Sequence, residues 1–140
     1  MKGNIPYTTK DVNSLVIDIL VTRSGLAKEK QAELTQFILA WFDIMHAVKT
    51  NPTEVFAKVA EQLGQTGADF RADYGGLKKG DMAMNRQMFA REGGLVEAKA
   101  KILALLREDM RHGRMPREDL GIAGEPVNAA LAQWKPLQAK

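Results

Sequence analysis

Two rhythms of apolar residues run along this chain. Leu34, Phe37, Ile38, Trp41, Phe42, Met45 and Val48 recur at three- and four-residue steps. That spacing gathers them into one wide stripe of an α-helix. The helix is predicted from Ser24 to about Lys49, and Thr50-Asn51-Pro52 ends it, because the residue before a proline is pushed out of the helical region. The segment Ser14–Thr22 follows the other rhythm. It is short, rich in β-branched residues and apolar on both alternating faces, the pattern of a strand covered on both sides. A lone strand cannot satisfy its own N–H and C=O groups. It therefore needs the 1–13 arm, a second copy of the chain, or a further domain.

Punctuation divides the rest. Asn51-Pro52-Thr53-Glu54 predicts a helix start, with Asn51 as cap, Pro52 at the first helical position and Glu54 reaching back to the cap N–H. Val55, Phe56, Val59, Ala60 and Leu63 follow on one face, and Gly64 supplies a left-handed stop. Thr66 is predicted to cap a third helix carrying Phe70 and Tyr74, stopped by Gly75-Gly76. Asp81 is predicted to cap a fourth, with Met84, Met88 and Phe89, broken by Gly93-Gly94. A fifth is predicted from about Leu95 to His112, with Leu95, Ala98, Ile102, Leu105, Leu106 and Met110 inward and Gly113 closing it. The chain thus reads as an irregular arm over 1–13, a strand plus five helices over 14–113, and a turn-rich tail over 114–140 with a short helix around Pro126–Gln133. The class is mainly α with one or two β-strands.

Composition narrows the function. The chain has 140 residues, 45% of them hydrophobic and 26% charged, with no cysteine. Disulfides, thiolate catalysis and cysteine-bound metals are excluded. The net charge is +3, and acidic residues alternate with the basic ones. Arg107, Arg111, His112, Arg114 and Arg117 form the nearest basic cluster, but Glu108, Asp109, Glu118 and Asp119 sit among them. A nucleic-acid footprint needs basic residues gathered on one face, so none is expected. No apolar run spans a bilayer, and residues 1–7 lack the apolar core of a secretory signal.

Single residues that invite chemistry have plainer readings. Asp18 sits in the apolar strand, and a buried carboxylate is costly unless paired. It is expected at the strand's exposed end or paired with Arg23, with a hinge or cleft edge as the functional alternative. Trp41 and Phe42 fall at helical spacing and are expected in the core, not as a ligand platform. His46 and His112 are too far apart in sequence to suggest a shared metal. His112 is expected to interact with a helix end. Met82, Met84 and Met88 crowd one short helix as adaptable filler, or as a contact surface for a partner. Gly75-Gly76 and Gly93-Gly94 lack the setting of a phosphate loop. No serine or threonine stands in a nucleophile motif. Catalytic residues, metal ligands and cofactors are all expected to be absent.

The order of motifs carries a resemblance. Phe37–Met45, with Ala40-Trp41-Phe42, is followed by Asn51-Pro52-Thr53-Glu54 and then Val59-Ala60-Glu61-Gln62-Leu63-Gly64. Next come a short helix ending in Tyr74 and a segment with Asp81 and Asn85. This succession resembles the late part of the nitrate/sulfonate/taurine substrate-binding family, which includes thiamine-precursor binders. The strand Val16–Thr22 is similar in placement to the one that re-enters the first lobe after the crossover hinge. The resemblance covers roughly residues 14–113. It implies a C-terminal lobe fragment of a type II periplasmic binding protein (α/β) fold, and a non-catalytic solute-binding component of an ABC transporter. It transfers no ligand residue to this chain. The implied ligand is a small anionic or heterocyclic solute, bound if a second lobe completes the site. The expected location is the periplasm for part of an exported protein and the cytoplasm otherwise. The alternative is a helical self-association module on the same scaffold, a homodimer through residues 14–22.

Overall fold

The computed structural model describes residues 17–91, 94–109, 111 and 113–136. Among them the chain forms seven helices: α1 (Ser24–Glu29), α2 (Gln31–Thr50), α3 (Pro52–Leu63), α4 (Gly67–Gly75), α5 (Met82–Met88), α6 (Leu95–Glu108) and α7 (Glu125–Gln133). The class is mainly α, as expected, with no strand among the described residues.

The predicted strand is therefore corrected over its described part. Ile17–Thr22 is irregular, and Ile19, Leu20 and Val21 are 63%, 62% and 75% exposed. The reason is the missing partner: every helix satisfies its own backbone, and nothing among the described residues offers a sheet edge. Residues 14–16 and the 1–13 arm lie outside the described residues.

The single helix expected from Ser24 to Lys49 is two. Lys30 (φ −112°, ψ 31°) separates α1 from α2. The break spans one residue, since the Lys30 N–H still bonds the Leu26 carbonyl and the Leu34 N–H bonds the Lys30 carbonyl. Nothing in the local sequence, neither glycine nor proline, explains it.

Three of the expected caps form. Thr66 Oγ1 accepts from the Asp69 N–H at 3.2 Å, and Asp81 Oδ1 accepts from the Met84 N–H at 2.9 Å. Gly64 ends α3 in the left-handed region at φ 67°, where a Cβ would be strained. The Asn51 cap differs: its side chain takes no N-terminal amide and instead donates to Glu54 Oε2 at 2.6 Å. Helix α6 ends at Glu108, a turn earlier than predicted. Asp109 is extended there, and its carboxylate accepts from both the Arg111 N–H and the Arg111 guanidinium. Such a local side-chain bond competes with the helical ladder.

The core is thin. Phe42, Phe56, Ala60, Ala98, Val127 and Ala130 are its buried hydrophobic residues among those described. Burying a phenylalanine contributes roughly 1.5–3 kcal/mol, so Phe42 and Phe56 carry much of it. Phe42 lies where α2 meets α7, whose Pro126, Val127 and Ala130 are buried. Phe56 lies where α3 meets α4, edge-on to Phe70 with ring centroids 5.4 Å apart. These two are the most extensive helix pairings. The short helix expected in the tail is thus α7, and it packs on α2.

Candidate interaction surface

The α2 stripe is rotated from its predicted setting. The side that meets α7 carries Thr35 and Phe42 buried and Ile38, Leu39 and His46 half-buried. Phe37, Trp41 and Ile44, at i, i+4 and i+7, are left roughly half exposed. The expectation that Trp41 sits in the core is corrected, and the one for Phe42 holds. The inward turn of Thr35 costs little, because its hydroxyl donates to the Gln31 carbonyl at 2.8 Å.

Trp41 is held on one side only. Its indole Nε1 donates to the Gly80 carbonyl at 2.7 Å. Asn85 Nδ2 donates to the same oxygen and to the Asp81 carbonyl, each at 2.9 Å. Asp81 and Asn85, noted in sequence as a pair, therefore fix the loop that leads into α5. Lys79 steadies the same loop from the other end. Its ammonium donates to the Tyr74 and Leu77 carbonyls at 2.7 Å and lies 4.3 Å from the Tyr74 ring centre. A cation so placed caps the C-terminal end of α4.

His46 has no metal partners in reach; among the described residues no cluster of histidine, aspartate and glutamate is arranged to hold an ion. Its ring stands edge-on to Trp134 with centroids 5.6 Å apart. His112 lies outside the described residues. Met82, Met84 and Met88 are all half-buried, and their helix α5 packs against α7. Gly75 and Gly76 close α4, and Gly93 lies outside the described residues. Gly94 has a sharper role as the residue before α6: at φ 60° and ψ −123°, a Cβ there would stand 2.6 Å from the carbonyl oxygens of Gln87 and Met88.

The arginines of the basic cluster are engaged. Arg107 pairs with Glu118 at 2.5 Å, Arg111 with Asp109 at 2.5 Å and Arg117 with Asp119 at 2.6 Å. The neighbouring acids hold the Arg111 and Arg117 guanidinium groups in their charged form, and Arg117 holds the Asp119 carboxyl below its usual range. Paired charges of this kind cancel the field that a phosphate backbone would need.

Asp18 is exposed, so it meets no burial penalty. Around it runs an apolar segment with no backbone partner among the described residues. No backbone hydrogen bond among the described residues involves 17–22. The sequence signal for an unsatisfied strand was present, but only the structure shows that nothing in the described chain answers it. Trp134 was also overlooked. It continues the α7 row Val127, Ala130 and Leu131 at the four- and three-residue steps that mark an inward face.

The hollows near these elements are shallow and open. One is lined by Gln31, Ala32, Thr35, Gln36 and Gln133, and another by Arg23, Gly25, Leu26 and Glu29. No helix is long and apolar enough to cross a membrane among the described residues. Comparison with protein families, with curated proteins and with solved structures returns no match to this chain.

Proposed function

We propose that this chain is a non-catalytic solute-binding component of a nitrate/sulfonate/taurine-like ABC transporter, contributing helices of a C-terminal periplasmic-binding-protein lobe. The observation that carries this reading is the order in which its motifs fall on helix boundaries. Pro52 opens α3, Gly64 closes it, Tyr74 lies in the last turn of α4, which ends at Gly75 with Gly76 as its cap, and Asp81 caps α5 with Asn85 one turn on. The exposed row Phe37, Trp41 and Ile44 on α2 supports the same reading, since an exposed apolar patch marks a surface that meets a partner.

In this reading the solute, small and anionic or heterocyclic, is held without covalent chemistry. It sits in an apolar cleft with a few placed polar groups, closed between this chain's helices and a second, α/β lobe. The location is then periplasmic. Calorimetry with nitrate, taurine and a pyrimidine precursor tests the division of labour. The chain alone is expected to give no heat, and micromolar binding by it alone would remove the need for a second lobe. Gene context tests the transport reading: neighbouring genes for a permease and an ATPase are expected, and their absence counts against it.

A second reading, a self-association module on the same scaffold, is favoured by one specific observation. Ile19, Leu20 and Val21 stand exposed in a row with no backbone partner among the described residues.

A further inference from the structure

We infer that α7 is a strap that comes off α2 as a unit, bending at residues 121–124, while α2, α3 and α4 keep their packing. Release turns the ring of Phe42 toward solvent, the largest fully buried side chain among the described residues.

Two stripes of α2 are held by separate groups. Phe42, Asp43 and His46 all meet Trp134, the residue that caps the end of α7. Trp41 and Met45, one turn apart on the neighbouring stripe, are held from elsewhere. Met45 Sδ accepts from the Tyr74 hydroxyl of α4, and the Trp41 indole donates to the Gly80 carbonyl. Tyr74 stacks on Phe70, and both rings pack on Phe56 of α3. These contacts join residues between 41 and 80, and none of them includes a residue of α7. Losing α7 therefore leaves them in place.

Little holds α7 shut. Its buried side chains are Pro126, Val127 and Ala130. They are small, so α7 approaches α2 closely yet buries little apolar area for each residue it orders. The larger Trp134 is only half-buried, and its indole N–H is anchored on Asp43. At 9 residues, α7 is shorter than the roughly 12–15 that make a helix even marginal by itself in water. Undocking and unwinding are then one event.

The connection supplies the bend. The stretch before it is tied back to α6, where Glu118 pairs with Arg107 and the Leu120 carbonyl accepts from Lys99. Helix α7 begins at Glu125. Between these fixed points stand Gly121 and Gly124. Gly121 has no positive φ, and a Cβ added there meets nothing within 4 Å. Neither a left-handed turn nor a close approach requires glycine at 121, so what glycine adds is freedom to bend.

Amide hydrogen exchange of the full chain, followed by NMR in native buffer and in low urea, tests the release. Relative to their intrinsic rates, the amides of Asn128 to Trp134 should exchange at least about tenfold faster than those of Val59 and Ala60 in α3. Their rates should also depend less on urea, because a strap exposes less surface than the whole chain. Phe56→Leu weakens the α3–α4 packing without touching α7. It should speed the α3 amides about tenfold and leave the α7 amides unchanged, because these open without passing through the unfolded chain. Gly121→Ala should slow the α7 amides about two- to fivefold, by restricting the open state. If the α7 amides are as slow as those of α3, or if Phe56→Leu speeds both sets equally, the chain opens as one unit and the strap is overturned. If Gly121→Ala changes no rate, the bend at 121–124 is overturned.

Discussion

The indole Nε1 of Trp134 donates to Oδ1 of Asp43 at 2.8 Å, joining residues 91 positions apart in sequence. The bond ties the end of α7 to the middle of α2, the most extensive helix pairing among the described residues. Around it the indole meets Phe42 edge-on, with centroids 6.4 Å apart, and His46 edge-on at 5.6 Å. One side chain thus combines a polar anchor with the apolar contact that closes this part of the core.

The two roles of Trp134 separate by substitution. Trp134→Phe keeps the ring and removes the donor, leaving the half-buried Asp43 carboxylate without its indole partner. The expected loss is about 1–2 kcal/mol. Trp134→Ala also removes the edge contacts with Phe42 and should cost about 3 kcal/mol. Urea unfolding of both variants, with the slope against denaturant unchanged, checks the order. Equal losses would mean that the edge contacts of the ring contribute nothing beyond the hydrogen bond.

Much of the helical framework was legible in the sequence because its signals are local. Thr66 and Asp81 read as caps from their neighbours alone, and Gly64 read as a stop because a left-handed turn follows a periodic run. What stayed hidden depends on distant residues. The pairing of Trp134 with Asp43 has no local signature. The rotation of α2, which buries Thr35 and exposes Phe37, is set by where α7 lands. The strand prediction went astray for the same reason: a short β-branched run apolar on both faces marks a preference, and a ladder also needs an edge. The early end of α6 turned on Asp109, whose side chain competes for local backbone bonds.

Two left-handed glycines should respond unequally to alanine. Gly94→Ala meets both a positive φ and two carbonyl oxygens 2.6 Å away, so the junction between α5 and α6 must shift. A loss of about 3 kcal/mol or more is expected. Gly113 also has positive φ, at 72°, but nothing lies within 4 Å of the added Cβ. There alanine should cost only about 1–2 kcal/mol. Thermal unfolding of the two variants compares them directly, and a smaller loss at 94 than at 113 would contradict the geometry.

The shared acceptor at Gly80 makes a prediction about redundancy. Trp41→Phe removes one of two donors to that carbonyl, which keeps its bond from Asn85. The expected cost is about 0.5–1 kcal/mol. Asn85→Ala removes the bonds to both Gly80 and Asp81 and the half-buried side chain itself, for about 2 kcal/mol. If the double variant loses clearly more than the sum, the two donors act as one unit around an oxygen that cannot stay unpaired. Denaturant unfolding of the three variants gives that coupling term.

Tyr74 gives the fold a response to alkaline pH. Its hydroxyl donates to Met45 Sδ at 3.8 Å, and its ring packs on Phe56 with centroids 5.1 Å apart. Burial, and secondarily the Asp81 carboxylate, pushes the phenol above its ordinary value of about 10. The folded chain therefore holds this proton more tightly than the unfolded chain does. The associated stability is whole below about pH 10 and is lost as pH rises from there through the elevated folded value. Wild-type stability should fall above pH 10, and Tyr74→Phe should fall less steeply, because phenylalanine has no proton to lose. The other tyrosine, Tyr7, is replaced by phenylalanine in both proteins so that tyrosinate absorbance reports position 74 alone. Identical slopes above pH 10 would show that the burial of Tyr74 carries no linkage to folding.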